Sequence, residues 1–250
     1  QKFIVCKQLA SQPAFDSHTT CMEIKSTQPA SSLPRLVIDG SGSTIFTGIL
    51  DGANRWLSHT RIEGAALESL FASVKNSLDT ANLTLEQIGA YIYNSGPGSV
   101  LGLRLCAMAM ETWSRLYPRS AYFQSYNTLQ FVMRTICIDY PDTNNALLVS
   151  DWKKGAWNAV FLKDGQIAAT DVVNDEQLDA YEETLFHLPQ RKGWQSPPER
   201  ATTVQLEHTR LPELLSDTSF LLNTEGVVLY ASAVNTFHKW IPERHRSATS

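Results

Sequence analysis

The chain has 250 residues, of which 43% are apolar and 18% charged, enough for a real hydrophobic core and too apolar for wholesale disorder. Its formal charge of -4 gives no electrostatic footprint for holding nucleic acid unaided. The apolar runs are far shorter than the roughly 20 residues of a membrane span, and residues 1–34 lack the apolar segment of a secretory signal.

Residues 1–34 show neither a helical nor a strand period, and Pro13, Pro29 and Pro34 interrupt them, so a poorly ordered extension is expected. Position 1 is not Met, and Met22 is an alternative start. Order begins at Arg35 with the apolar run Leu36-Val37-Ile38, closed by Asp39-Gly40-Ser41-Gly42. Residues 43–50 read as a strand, Asp51-Gly52 as a primed hairpin turn, and residues 54–59 as the returning strand. Over 63–78 the apolar positions Leu67, Leu70, Phe71, Val74 and Leu78 recur at three- and four-residue spacing, which predicts an amphipathic helix. A strand at 90–93 breaks at Gly96-Pro97-Gly98-Ser99, and a helix follows to about residue 116. A short strand at 120–124 and a helix at 127–136 complete this half.

The next segment repeats the order. A strand at 146–150 ends at Asp151, a second strand spans 156–162, Asp164-Gly165 forms a turn, 167–173 returns, and a helix is expected over 176–185. Two further helices are predicted, over 212–222 and 226–240. Strand, Asp, strand, Asp-Gly, strand therefore occurs twice, at the level of pattern rather than of residue identity. The expected architecture is α/β: two βββαβα halves in the duplicated ribonuclease-H-like fold of the actin, Hsp70 and sugar-kinase superfamily. The boundaries are residues 35–137 for the first half and 138–250 for the diverged second half.

The turn at Asp39 is the best candidate for phosphate chemistry, since glycines let backbone N–H groups approach a phosphate and an aspartate holds Mg²⁺. Its counterpart, Asp151-Trp152-Lys153-Lys154-Gly155, is bulky where that approach would occur, and after Gly165 only the isolated Gly193 and Gly226 remain. Productive ATP binding is therefore not expected, and a tight hairpin turn explains Gly40 and Gly42 equally well. Gly96-Pro97-Gly98-Ser99-Val100-Leu101-Gly102-Leu103-Arg104 matches neither a Walker loop nor a G-x-S-x-G elbow. It reads as a strand-to-helix corner with Ser99 as N-cap. Between Val100 and Met110 only Arg104 is charged, so this helix needs cover on more than one side, from its own chain or from a partner.

The six histidines show no metal-ligand spacing and read as surface or packing residues. Lys239, Arg244, His245 and Arg246 read as a solvated basic run. Cys6, Cys21, Cys106 and Cys137 form no C-x-x-C pair and are expected to be reduced thiols of a cytoplasmic protein. No catalytic residue and no metal site is expected.

The segment from Gly96 to Arg104 resembles the G-P-G-S-F-T-G-L-R signature of the TsaB/YeaZ group and its paralogue TsaD. Val100-Leu101 stands here in place of Phe-Thr. Leu36-Val37-Ile38-Asp39 is similar to the family's opening I-D-T-S strand, and the turn at Asp151 to its D-A-R-x-G-E-V-Y turn. Where TsaD-type members carry a metal-binding H-x-x-x-H, this chain has only His59. The resemblance is therefore to TsaB, and it spans roughly residues 35–165. It implies a non-catalytic partner subunit that needs no cofactor. Such a subunit pairs with a TsaD-type enzyme, joined by a TsaE-type ATPase, which places threonylcarbamoyl on the tRNA adenosine beside the anticodon. tRNA is met only through that complex, and the subunit alone forms a homodimer. The implied contact runs over the helices predicted at 63–81 and 99–117, with Leu67, Leu70, Phe71, Val74, Arg104, Met108 and Trp113 as candidates. The alternative is an ATP-dependent kinase or ATPase using Asp39 and Asp151 on Mg-nucleotide. A diverged peptidase ranks below both, because neither a metal pair nor a nucleophile motif is present.

Overall fold

In the strand Arg35–Asp39 (β1), Leu36 and Ile38 face one core and Val37 another, and all three are fully buried. A strand covered on both faces reads as a continuous apolar run, and such strands lie at the centre of a sheet. The computed structural model that shows this describes residues 33–117, 122–190 and 196–230. The expected extension up to residue 32, the basic run at Lys239, Arg244, His245 and Arg246, and Cys6 and Cys21 lie outside the described residues.

β1 pairs antiparallel with Thr44–Leu50 (β2), which pairs antiparallel with Trp56–Glu63 (β3). On its other side β1 runs parallel to Ala90–Asn94 (β4), and β4 runs parallel to Tyr122–Tyr126 (β5). Ala66–Ala81 (α1) follows β3, Val100–Leu116 (α2) follows β4, and Thr128–Asp139 (α3) follows β5. The second sheet is built the same way. Ala146–Lys153 (β6) pairs antiparallel with Ala156–Lys163 (β7), which meets Gln166–Ile167 (β8) and Asp171–Asn174 (β9). Asp175–Asp179 (α4) leads to Thr184–Leu188 (β10), parallel to β6, and Thr202–Thr203 (β11) pairs parallel with β10. Two sheets of matching order make this the duplicated ribonuclease-H-like fold. The last strand, Leu222–Thr224 (β12), crosses back and joins the first sheet beside β5.

One core lies between the sheets and holds Val37, Phe46, Ile92, Leu148, Val160 and Phe186, with α3 packed among them. A second covers the outer face of the first sheet under α1 and α2. Under α1 the hydroxyls of Ser73 and Ser77 each meet Thr47 Oγ1 at 2.8 Å, a buried polar seam whose small side chains let the helix lie close to β2. The third core, on the outer face of the second sheet, is small because α4 has only five residues and contributes Leu178.

Four expectations are corrected. The helix expected over 176–185 stops at Asp179, because Leu185 and Phe186 pair with β6 and are buried on opposite faces of that sheet. The helix expected over 212–222 is only Leu211–Leu214 (α5). Beyond it the Asp217 carboxylate accepts from Ser219 N–H and Oγ, a local turn that competes with helix, and Leu222 then joins β12. Of the helix expected over 226–240, residues 226–230 carry none, Tyr230 N–H donating instead to the Ser95 carbonyl at 2.7 Å, and the rest lies outside the described residues. At the Asp51 loop the positive φ of 62° falls on Asn54, not Gly52, because the Asp51 carboxylate accepts the N–H groups of Ala53 and Arg55 and holds a longer turn. Asp164 and Gly165 do carry positive φ, 49° and 74°, as a primed two-residue hairpin requires.

Candidate functional site

The turn after β1 and the segment from Gly96 to Gly102 are packed backbone to backbone. Ser99 N–H donates to the Ser41 carbonyl at 2.6 Å, and the Ser99 hydroxyl accepts from Gly102 N–H at 3.4 Å as the cap of α2. A Cβ on Gly98 would stand 2.6 Å from the Ser41 carbonyl oxygen, and one on Gly102 would sit far inside contact distance of the Gly40 carbonyl oxygen. These glycines therefore allow one loop to lie against another. The backbone approach that could have served a phosphate is taken up inside the protein. Pro97 contributes its carbonyl, which accepts from Thr128 Oγ1 and from Gln190 Nε2, both at 2.8 Å; the second bond ties the two halves together.

Asp39 ends β1 and is 2% exposed. Its Oδ1 accepts Ser41 N–H at 2.7 Å. Its Oδ2 accepts Asn94 Nδ2 at 2.7 Å, Tyr126 OH at 2.9 Å and His208 Nε2 at 2.7 Å. Burial alone would push this carboxyl up, but the adjacent His208 and the hydrogen bonds from His208, Ser41 and Asn94 outweigh it and hold Asp39 well below the usual carboxylate range. Around it, Tyr126 is pushed well above its ordinary value by burial and by the Asp39 charge.

Asp151 lies near the end of β6 in a related setting. His187 Nε2 lies 3.4 Å from its Oδ1, and Gln190 N–H donates to its Oδ2 at 3.2 Å. A cavity of about 280 Å³ opens between the halves over Asp39, walled by Ser43, Thr44, Arg61, Gln190, Gln205 and His208 among others; Asp151 is not part of its wall. A Mg-nucleotide site at Asp39 fits this donor set poorly, because Oδ2 already receives three donors against two lone pairs and Oδ1 receives Ser41 N–H. Among the described residues no group of three or more His, Cys, Asp or Glu could hold a metal ion.

The residues expected at a partner contact divide between two faces. Leu70, Val74 and Trp113 turn inward to the first sheet and are at most 8% exposed, so these three are corrected to core residues; Leu70 and Trp113 also floor a groove between the helices. Leu67, Phe71 and Met108 are 61–67% exposed and line that groove of about 220 Å³, and Arg104 is exposed as well. Leu101 and Leu116 extend the apolar surface along α2. The helix is apolar nearly all round because one face meets the sheet and the other is left bare.

No family model matches the chain, and no curated protein matches it. Solved structures do. YeaZ from Pseudomonas aeruginosa superposes with a TM-score of 0.58 at 15% identity, over 80% of this chain and 99% of that one. An uncharacterized protein from Pseudomonas aeruginosa with similarity to the peptidase YeaZ gives 0.57 at 17%, with the same coverage. This chain has the YeaZ fold. A ROK hexokinase from Thermus thermophilus overlaps more loosely, at a TM-score of 0.33 over 54% of this chain and 47% of its own.

His208, Arg61, Asn94 and Tyr126 gave no signal in the sequence. His208 lies 169 positions from Asp39 in a polar stretch, and only folding brings them together. Of the surface and packing roles expected for the histidines, His187 and His208 take the second, buried against carboxylates. Cys106, on the inner face of α2, is pushed up to about 12 by burial and by the nearby Asp39 charge. Thiol reagents at pH 8 are expected to leave Cys106 unmodified in the folded chain and to label it after denaturation, as read by peptide mass spectrometry.

Proposed function

We propose that this protein is a non-catalytic, TsaB-like partner subunit that supports a TsaD-type enzyme in threonylcarbamoyl transfer to the tRNA adenosine next to the anticodon. The observation that carries the reading is the bare apolar face shared by α1 and α2, centred on Leu67, Phe71 and Met108. Exposed apolar surface of this kind marks an interaction site, and it lies on the two helices that the sequence resemblance names for the contact. The YeaZ fold supports the same reading. So does the state of Asp39, whose carboxylate serves internal donors. In the lone chain the same face favours a homodimer. Among the described residues no helix is long and apolar enough to cross a membrane.

The test is co-purification with a TsaD-type protein and, separately, sedimentation of the chain alone. Leu67→Glu combined with Met108→Glu puts two charges on the exposed face without touching the core. The pair is expected to weaken association roughly a hundredfold, since each carboxylate would be buried unpaired in the complex. Undiminished association by a variant that keeps its wild-type circular dichroism would remove the interface assignment.

A further inference from the structure

The contact between His208 and Asp39 has a defined protonation pattern. Arg61 Nη2 lies 3.1 Å from His208 Nδ1. A guanidinium has only donors, so Nδ1 must present its lone pair, and the ring proton sits on Nε2, which donates to Asp39 Oδ2. The imidazole is thus a neutral relay between a fixed positive charge and a fixed negative one. Phe46 holds the ring from one side, stacked at 4.4 Å between centroids with planes 9° apart. The neighbouring backbone is fastened to the first half as well: Trp56 Nε1 donates to the Thr209 carbonyl at 2.9 Å, and Arg210 Nη1 to Asp139 at 2.7 Å. Leu211, next in the chain, is buried in the core between the sheets.

We propose that His208, backed by Arg61, takes the place beside Asp39 Oδ2 that a divalent cation would need, and that it latches the second half over the cleft. The Arg61 guanidinium polarises the ring, which strengthens the hydrogen bond that His208 Nε2–H donates to the carboxylate. The latch explains why three donors converge on Asp39 Oδ2 at the cleft. It stands independently of the partner-subunit reading, since it concerns the cleft and not the α1 and α2 face.

The test compares the wild-type chain with His208→Ala, His208→Gln and Arg61→Met, by hydrogen exchange across residues 206–211 and by calorimetry with Mg-ATP. The glutamine amide offers both a donor group and an acceptor group and can stand in for the neutral ring. His208→Ala is expected to raise exchange in that segment roughly tenfold, the equivalent of one lost hydrogen bond to a charged group, with His208→Gln close to wild type. Arg61→Met removes an exposed side chain and is expected to loosen the same segment by a smaller factor. The wild type is expected to show no saturable Mg-ATP heat up to about 1 mM. Exchange unchanged in His208→Ala or in Arg61→Met overturns the latch. His208→Gln as loose as His208→Ala, or unfolded alongside it, overturns the neutral relay. Saturable Mg-ATP binding by the wild type overturns the occupancy.

Discussion

Gly102→Ala is expected to lower the stability of the fold by about 3 kcal/mol, or to prevent folding, because the new methyl group would overlap the Gly40 carbonyl oxygen. That oxygen belongs to backbone held on several sides. Ser41, next in the turn, gives its N–H to Asp39 and its carbonyl to Ser99, and a Cβ placed on Gly40 itself would meet Cys106 Sγ at 2.8 Å. Neither partner can yield without breaking a buried hydrogen bond or opening α2 from the sheet. Gly42→Ala is the control. It changes the same turn, but its nearest neighbour would be 3.9 Å away, so it is expected to stay within about 0.5 kcal/mol of wild type. Urea denaturation followed by circular dichroism distinguishes the two. Equal midpoints for both variants would mean that the glycine signature has some purpose other than loop-to-helix contact.

Asp39→Asn has the second large effect. The isosteric amide turns an N–H₂ toward Asn94 Nδ2, Tyr126 OH and His208 Nε2, and all three are donors in the wild-type arrangement. Removing one charge from a buried, fully bonded set costs about 3–5 kcal/mol. The wild-type carboxyl also sets a pH dependence. Its folded pKa lies below the unfolded value of about 3.9, so the unfolded chain binds the proton more readily. The stabilisation is therefore complete above the unfolded pKa and is lost as pH falls through that value toward the folded one. Denaturation midpoints of the wild type should drop more steeply below about pH 4 than those of Asp39→Asn. Parallel acid limbs would show that Asp39 is not the group responsible.

Several elements were legible because local rules and global packing agree on them. The three- and four-residue spacing of Leu70, Val74 and Leu78 is the buried stripe of α1, and Asp164-Gly165 forms the hairpin that its turn chemistry demands. The duplication was legible for the same reason, since each half opens with an antiparallel hairpin whose first strand carries an aspartate near its end. The segments after Leu178 were misread, because helical spacing there is weak and cross-sheet pairing decides the outcome. Leu185 and Leu222 suit a helix locally but complete a sheet in the folded chain.

The candidate sites divide along the same line. Periodicity marked α1 and α2 as an apolar pair, but which residues face the sheet depends on how each helix is rotated against β1, β2 and β4, so Leu70, Val74 and Trp113 turn to the core while Leu101 and Leu116 stay exposed. From the sequence alone came the two halves, the aspartate near the end of each first strand, the glycine corner before α2 and the excess of apolar residues on that helix. Tertiary structure alone decided that the corner packs on the Asp39 turn and that His208 closes over the carboxylate. Hydrogen bonds between residues 55, 87 and 169 positions apart leave no periodic trace in a chain, because the first two are made only when β4 and β5 join β1 in one sheet and the third only when His208 closes on it.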